Sequence, residues 1–362
     1  MPRLEAKKIN RIVVRGTNWV GDAVMTIPAL RELRRLFPES TITLVTQPLA
    51  KGLFADAEYI DDLLIYGPSE KGSVIQQIKE WKRREFDLAI LFQNAFKAAL
   101  IAAAARVPFR IGYAGQWRRA LLTQQLPLPE WRDTRHEIYY YLNIIAEIEA
   151  LLGWSSQKKD PDCSIKISSE SQLSATKFLR GRGLQKGKPA VVFCPGSINS
   201  RAKRWPAERY AELGDRLVED CEARILLIGS KGELDISLKV SRLMQNKPIV
   251  LTGETDLTEL VAILDLVDLV VTNDTGPAHI ATALGRPTLV IFGPTNPATT
   301  RPFGHSAQIL RHPPECAPCM LRDCPIDHRC MTAITPDEVF ERAREMLVEG
   351  QLRKIAKAGN IA

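Results

Sequence analysis

The sequence predicts an α/β chain built from two Rossmann-like, doubly wound parallel-sheet domains. Three observations predict it. Short apolar strand-like runs alternate with segments of helical period along most of the chain. The length, 362 residues, exceeds what one ordinary core accommodates. Residues 155–171, "SSQKKDPDCSIKISSES", are polar without a helical stripe, and a fresh strand–helix series starts after them.

In the first half, "RIVVRG" (11–16) reads as a buried strand, and 23–37 carry apolar residues at helical spacing until Pro38. Strands follow at 41–47 and 63–67, an amphipathic helix at 73–85, a strand at 86–94, a small-residue helix at 95–107 and a strand at 109–114. In the second half, strands are expected at 190–197, 224–230, 249–253, 266–274 and 288–294, with a helix over 207–220 and further helices between most of them. The expected domains are 1–160 and 173–347, joined by a linker at 161–172 and followed by a flexible tail at 348–362. Ligands of such sheets lie outside the carboxyl ends of the strands.

The composition, 45% hydrophobic and 25% charged, is that of an average soluble protein. No run of about 18 apolar residues is present. The first residues lack the apolar region of a signal peptide, so a cytoplasmic location is expected. A net charge of +7 suits an anionic partner or is simply a basic surface. No nucleic-acid module or stacking motif accompanies it, so nucleic acid is not an expected partner.

The first four motifs lie where a strand hands over to a loop or helix. In "RGTNWVGDAVM", Asp22 is either a helix N-cap or a general base facing the ligand. Gly16 and Gly21 do not form a dinucleotide fingerprint. "CPGSINSRAKRWP" (194–206) offers Gly196, Ser197, Asn199 and Ser200 with Arg201, Lys203 and Arg204, either a diphosphate cradle or a solvated basic loop. Glu233, just past the strand at 224–230, either binds sugar hydroxyls or serves the helix start. In "TNDTGPAHIATALG" (272–285), Thr275 and Gly276 begin a helix whose N–H groups suit a phosphate, Asp274 suits sugar hydroxyls, and His279 lies one turn further. In "CAPCMLRDCPIDHRC", Cys316, Cys319, Cys324 and Cys330, with His328 close by, suggest a structural zinc, less readily an iron–sulfur centre, or a reduced loop with no ligand. Cys163, Cys194 and Cys221 read as buried small hydrophobes.

Together "NWVGDAVMTIPALRELRRLFP", "KRWP", "NDTGPAHIATALGRPTLVIFGPTNP" and "CAPCMLRDCPIDHRCM" resemble the ADP-heptose:lipopolysaccharide heptosyltransferases of glycosyltransferase family 9, over residues 11 to about 347. The first loop and the Cys-rich tail are closer to type II than to type I. The resemblance implies a GT-B fold, with the acceptor held by the N-terminal domain and the nucleotide sugar by the C-terminal one. It implies inverting transfer of L-glycero-D-manno-heptose from ADP-heptose to the first heptose on Kdo2-lipid A. Asp22 matches the family's base, and Lys203 its diphosphate-binding lysine. Glu233 falls near the nucleoside, and Asp274, Thr275, Gly276 and His279 match donor contacts. Ser197 and Asn199 join the donor set. A heptosyltransferase with another acceptor and a non-catalytic nucleotide-sugar-binding protein are the alternatives.

No Asp-x-Asp metal motif lies in either ligand loop, so no cofactor is expected for catalysis; Lys203 and the helix start at Thr275 would hold the leaving ADP. Asn18, Trp19, Arg118 and Arg119 are expected to meet the acceptor or its anionic groups. Lys79, Lys82, Arg83, Arg84, Arg106 and Arg110 either bind acceptor anions and inner-leaflet lipid, making the enzyme peripheral on the membrane, or form a solvated basic face.

Overall fold

The computed structural model describes residues 4–66, 73–115, 117–154 and 160–359, with side chains for all of these except 73 and 353–359. Residue 67 of the expected third strand, residues 155–159 of the polar stretch and 360–362 of the expected tail lie outside the described residues. The chain forms two compact units, Met1–Cys163 and Ser164–Ala362.

The first unit runs β1 (Arg11–Arg15), α1 (Val20–Met25), α2 (Ile27–Leu36), β2 (Thr41–Thr46), β3 (Asp62–Ile65), α3 (Ser73–Arg84), β4 (Leu88–Leu91), α4 (Phe96–Ala104), β5 (Phe109–Tyr113), β6 (Gln124–Leu126) and α5 (Glu137–Leu151). All six strands are parallel, in the order β3-β2-β1-β4-β5-β6. Central β1 is paired on both edges, and Ile12, Val13 and Val14 have no exposure. A strand covered on both faces needs a continuous apolar run, which "IVV" supplies. The helix expected over 23–37 starts earlier and is divided at Thr26, whose hydroxyl donates to the Ala23 carbonyl at 2.7 Å. Pro28, early in α2, has no N–H to continue the first helix.

The second unit runs α6 (Ser169–Gly181), β7 (Ala190–Cys194), α7 (Ala207–Cys221), β8 (Arg224–Leu227), α8 (Leu234–Leu243), β9 (Ile249–Val250), α9 (Leu257–Leu266), β10 (Leu269–Asn273), α10 (Gly276–Ala283), β11 (Thr288–Ile291), α11 (Pro297–Thr300), β12 (Ala307–Leu310), α12 (Arg329–Thr332) and α13 (Pro336–Gly359). Its parallel sheet has the order β12-β11-β10-β7-β8-β9. Counted within its own unit, each sheet has the same strand order, 3-2-1-4-5-6. The order reverses beside β1 and β4 in one unit and beside β7 and β10 in the other, and ligands bind at such switch points.

Two boundaries differ from expectation. The linker placed at 161–172 contains the start of α6, because the Ser168 hydroxyl caps it, accepting from Ser171 N at 3.3 Å. The tail placed at 348–362 is helical as far as Gly359, as the end of α13. That helix is anchored by Val339, Phe340, Ala343, Met346 and Leu347, which belong to the core of the second unit.

Candidate active site

At the switch point of the first unit, the chain leaves β1 through Gly16. A Cβ there would meet the Val45 carbonyl oxygen at 3.0 Å, so a glycine lets the two backbones approach. Asn18 then ties three strand ends together. Its Oδ1 accepts from Gln93 Nε2 at 2.8 Å, after β4, and from Gln47 Nε2 at 3.3 Å, after β2. Gln93 Oε1 in turn accepts from Arg15 Nε at 3.2 Å. Trp19, 45% exposed, holds the N-cap position of α1 without a side-chain bond.

Asp22 therefore sits in the first turn of α1 and is not its cap, which corrects one of the two readings of that residue. A carboxylate in the first turn is favoured by the helix dipole. It is half-buried, so a ligand can reach it. Its charge acts on Glu137, at the start of α5, whose carboxyl is pushed up first by burial and also by Asp22. Burial, and then Asp22, likewise raises the Tyr141 phenol. Sequence reasoning missed Glu137 because the run 137–151 had not been assigned to a helix.

Arg118 is corrected outright. It is fully buried, and its guanidinium donates to Tyr113 O at 2.8 Å, Gln93 O at 2.5 Å and Asn94 Oδ1 at 2.7 Å. It holds the loop after β4 against β5 and cannot meet a bulky anion. Burial lowers its pKa to about 10. Arg119 is exposed, with Nε on Gln125 Oε1 at 2.7 Å. On α3, Arg83 pairs with Glu80 at 2.7 Å, and Arg84 pairs with both Glu80 and Asp62. Arg83 and then Arg84 hold the Glu80 carboxyl down at about 2. Arg110, lowered by burial, donates to Leu121 O at 2.7 Å. Much of the basic face is thus neutralised or structural.

At the switch point of the second unit, Asn273 closes β10 with no exposure. Its Nδ2 donates to Pro195 O at 3.0 Å and Gly196 O at 3.1 Å, while its Oδ1 accepts from Trp205 N at 3.1 Å and Tyr210 OH at 3.2 Å. This one amide fixes the loop after β7 against the end of β10. Lys203 crosses to the same place. Its Nζ donates to Asp274 Oδ2 at 2.7 Å and to Asp274 O at 3.2 Å, and Thr295 Oγ1 donates to that same carboxylate oxygen at 2.7 Å. Asp274, expected to meet sugar hydroxyls, is 4% exposed and holds the lysine. Thr295 was not foreseen.

Arg204 of the same loop donates from Nη2 and Nε to Ser197 O at 2.9 and 3.3 Å. Arg201 pairs with Asp323 at 2.6 Å. Thr275 is the N-cap residue of α10, but its hydroxyl lies 3.1 Å from Thr272 Oγ1 and bonds Asn273 O at 3.3 Å. Thr275 and Gly276 are half-buried, Ser197 and His279 are buried, and Asn199 is exposed. Glu233 closes a capping box: its Oε2 accepts from Ser230 N and Ser230 Oγ, both at 2.8 Å. Its Oε1 lies where a Cβ on Gly196 would come within 2.2 Å. Glu233 thus serves the helix start and also walls the Gly196 turn.

The four clustered cysteines are free thiols. Among the described residues no group of three or more His, Cys, Asp or Glu side chains has the geometry to hold a metal ion. Cys316 is exposed, whereas Cys330 is buried. The Cys330 thiol is pushed up to about 11, first by burial and then by the neighbouring thiols.

The model of glycosyltransferase family 9 (heptosyltransferase) matches residues 74–329. The chain belongs to glycosyltransferase family 9. It is therefore a glycosyltransferase, and its two units are the Rossmann-like halves of the GT-B fold. It is 30% identical to the lipooligosaccharide heptosyltransferase 2 of Haemophilus ducreyi, over 93% of this chain and 99% of that protein. The solved family 9 glycosyltransferase of Veillonella parvula is 26% identical with a TM-score of 0.81, covering 96% of this chain and 99% of that one. The ADP-heptose lipopolysaccharide heptosyltransferase II of Escherichia coli shares the fold at 24% identity and a TM-score of 0.80, covering 94% of this chain and 99% of that one.

Proposed function

We propose that this family 9 enzyme transfers L-glycero-D-manno-heptose, with inversion, from ADP-heptose to the first heptose of the lipopolysaccharide inner core on Kdo2-lipid A. The observation that carries the reading is the match to type 2 heptosyltransferases over nearly the full length of both chains. In this reading Asp22 takes the proton from the acceptor hydroxyl. The freed oxygen attacks the anomeric carbon, and the bond from that carbon to the β-phosphate oxygen breaks. Lys203, Arg204 and the start of α10 stabilise the departing ADP, with Ser197, Asn199, Glu233 and His279 shaping the donor site. No cofactor takes part in the scheme.

The acceptor is an amphiphile, and a peripheral position on the inner face of the inner membrane is part of the proposal. Among the described residues no helix is long and apolar enough to cross a membrane. Support comes from the connections that follow the carboxyl ends of the first sheet. Trp19, Leu49, Ile75, Phe96, Trp117 and Leu128 each follow a different strand there and are exposed, Trp117 at 96%. Lys51, Lys97 and Arg119 are exposed on the same connections. Amphipathic aromatics beside cations suit an anionic bilayer surface.

The test is mass spectrometry of products from ADP-heptose and core acceptors carrying no heptose, one heptose or two. Product from the one-heptose acceptor alone is expected; product from the heptose-free acceptor would overturn the assignment. Vesicles containing anionic lipid should sediment the protein, and neutral vesicles should not; equal sedimentation with both would remove the membrane part.

A further inference from the structure

The Cys-rich segment lies against the lysine loop, and its contacts are specific. Ser200 Oγ is 3.2 Å from both Leu321 O and Arg322 O. Ala202 N donates to Arg322 O at 2.9 Å, and His328 Nε2 lies 2.6 Å from Ala202 O. These contacts bracket the 3₁₀ turn Arg201–Lys203, whose last residue carries the ammonium. The far side of the segment is fixed in the core. Cys330 and Met331 are buried, and Met331 Sδ sits where a Cβ on Gly293 would come within 2.3 Å. Gly293 thus lets the segment dock at the carboxyl end of β11. Met320 N adds a bond to Pro294 O at 3.0 Å.

His328 of this strap bonds the turn itself, at the carbonyl of Ala202, the residue before Lys203. A carbonyl accepts, so the ring donates from Nε2 and the neutral Nε2–H tautomer suffices. The ring is held in a left-handed backbone, φ 58°, at the entry to α12. That conformation is uncommon outside glycine and is one histidine adopts more readily than most residues.

We propose that His328 is a positioning residue for the donor step: through the Ala202 carbonyl it fixes the turn that presents Lys203 to the leaving diphosphate, with the Cys-rich segment as its mount. The inference rests on the reading of Lys203 as a diphosphate-binding cation, and a double-mutant cycle separates the two. Donor KM, kcat and calorimetric ADP affinity are measured for the full-length enzyme and for Lys203→Ala, His328→Ala, His328→Gln and Lys203→Ala/His328→Ala, with Tm as a folding control. Loss of the histidine is expected to raise donor KM about tenfold, the equivalent of one hydrogen bond to a positioned group. His328→Gln, which keeps an N–H donor at similar reach, is expected to restore most of it. In the Lys203→Ala background the histidine change should add less than about twofold, because coupled residues are not additive. Equal effects in both backgrounds would overturn the positioning role. Unchanged donor kinetics in Lys203→Ala would instead overturn the diphosphate reading and the inference with it. Should His328→Ala not fold, Ser200→Ala, which removes the second anchor of the same turn, stands in its place with the same two outcomes.

Discussion

The Lys203–Asp274 pair yields the sharpest test of the donor site. Lys203 Nζ stands 2.7 Å from Asp274 Oδ2, with the lysine side chain 25% exposed and the aspartate 4%. At that separation and an effective dielectric of about 20, the gross attraction is about 6 kcal/mol, and desolvation cancels much of it. Lys203→Met leaves a buried carboxylate that keeps its hydrogen bond from Thr295 but loses its cation. Breaking one side of a buried pair costs about 3–5 kcal/mol, and the partial exposure of the lysine places the expectation at about 3 kcal/mol. Neutralising both sides, as Lys203→Met/Asp274→Asn, removes the stranded charge and should bring stability back to within about 1 kcal/mol of wild type. Turnover should not return, because the cation for the leaving diphosphate is still missing. Urea unfolding followed by tryptophan fluorescence reads stability, and ADP release reads turnover. If Lys203→Met unfolds at the wild-type urea midpoint, the ammonium is not the counter-charge of Asp274. If the double variant recovers turnover together with stability, Lys203 acts only as a structural ion.

Asp22→Asn keeps the shape of the first turn of α1 and should lower kcat by about 10²–10⁴-fold while ADP affinity, measured by calorimetry, stays at the wild-type value. Gly196→Ala drives a Cβ to within 2.2 Å of Glu233 Oε1, and the capping box to Ser230 keeps that carboxylate from retreating. A stability loss of about 1–3 kcal/mol with a raised donor KM is expected, read by thermal unfolding and initial rates. Burial pushes the Cys163 and Cys194 thiols up to about 12 and Cys330 to about 11. Thiols raised in the folded state contribute stability that is complete below the unfolded value, about 8.5, and that is lost as pH rises beyond it. Unfolding free energy should therefore fall between pH 8.5 and 11, and Cys194→Ala should flatten part of that fall.

The rhythm of both sheets was legible because parallel strands buried on both faces must be apolar runs, as at Ile12–Val14 and Leu269–Val271. β6, at three residues, and α5 left no such mark. In α5, "EIYYYLNIIAEIEAL" is apolar around most of its circumference, so no helical stripe stands out. At the sites, positions were legible and partners were not. Strand ends pointed to Asp22, Lys203 and Asp274, but Lys203 and Asp274 are 71 residues apart, and their pairing exists only once β7 and β10 lie side by side. Arg118 shows the same limit from the other side. A basic stretch reads as a solvated or ligand-facing surface, and only the fold reveals carbonyls of Gln93 and Tyr113 converging on that guanidinium.

Both switch points are built by the same physical device. In each, a neutral amide stitches the loops that meet there: Asn18 with Gln47 and Gln93 in the first unit, Asn273 with Pro195, Gly196, Trp205 and Tyr210 in the second. An amide both donates and accepts, so it fixes two chains without carrying charge into a desolvated position. Had charged pairs done this stitching, their field would have been neutralised within the scaffold. The amides do this stitching with dipoles, beside the buried Arg118 guanidinium on the Gln93 and Tyr113 carbonyls, and Asp22 and Arg204 lie half-buried at the strand ends. Groups positioned this way need little reorganisation when charge develops on a substrate, which is where electrostatic stabilisation is most effective. Lys203 is the exception: its charge is already shared with Asp274, and that sharing makes the lysine's placement, more than its mere presence, the property on which the donor site depends.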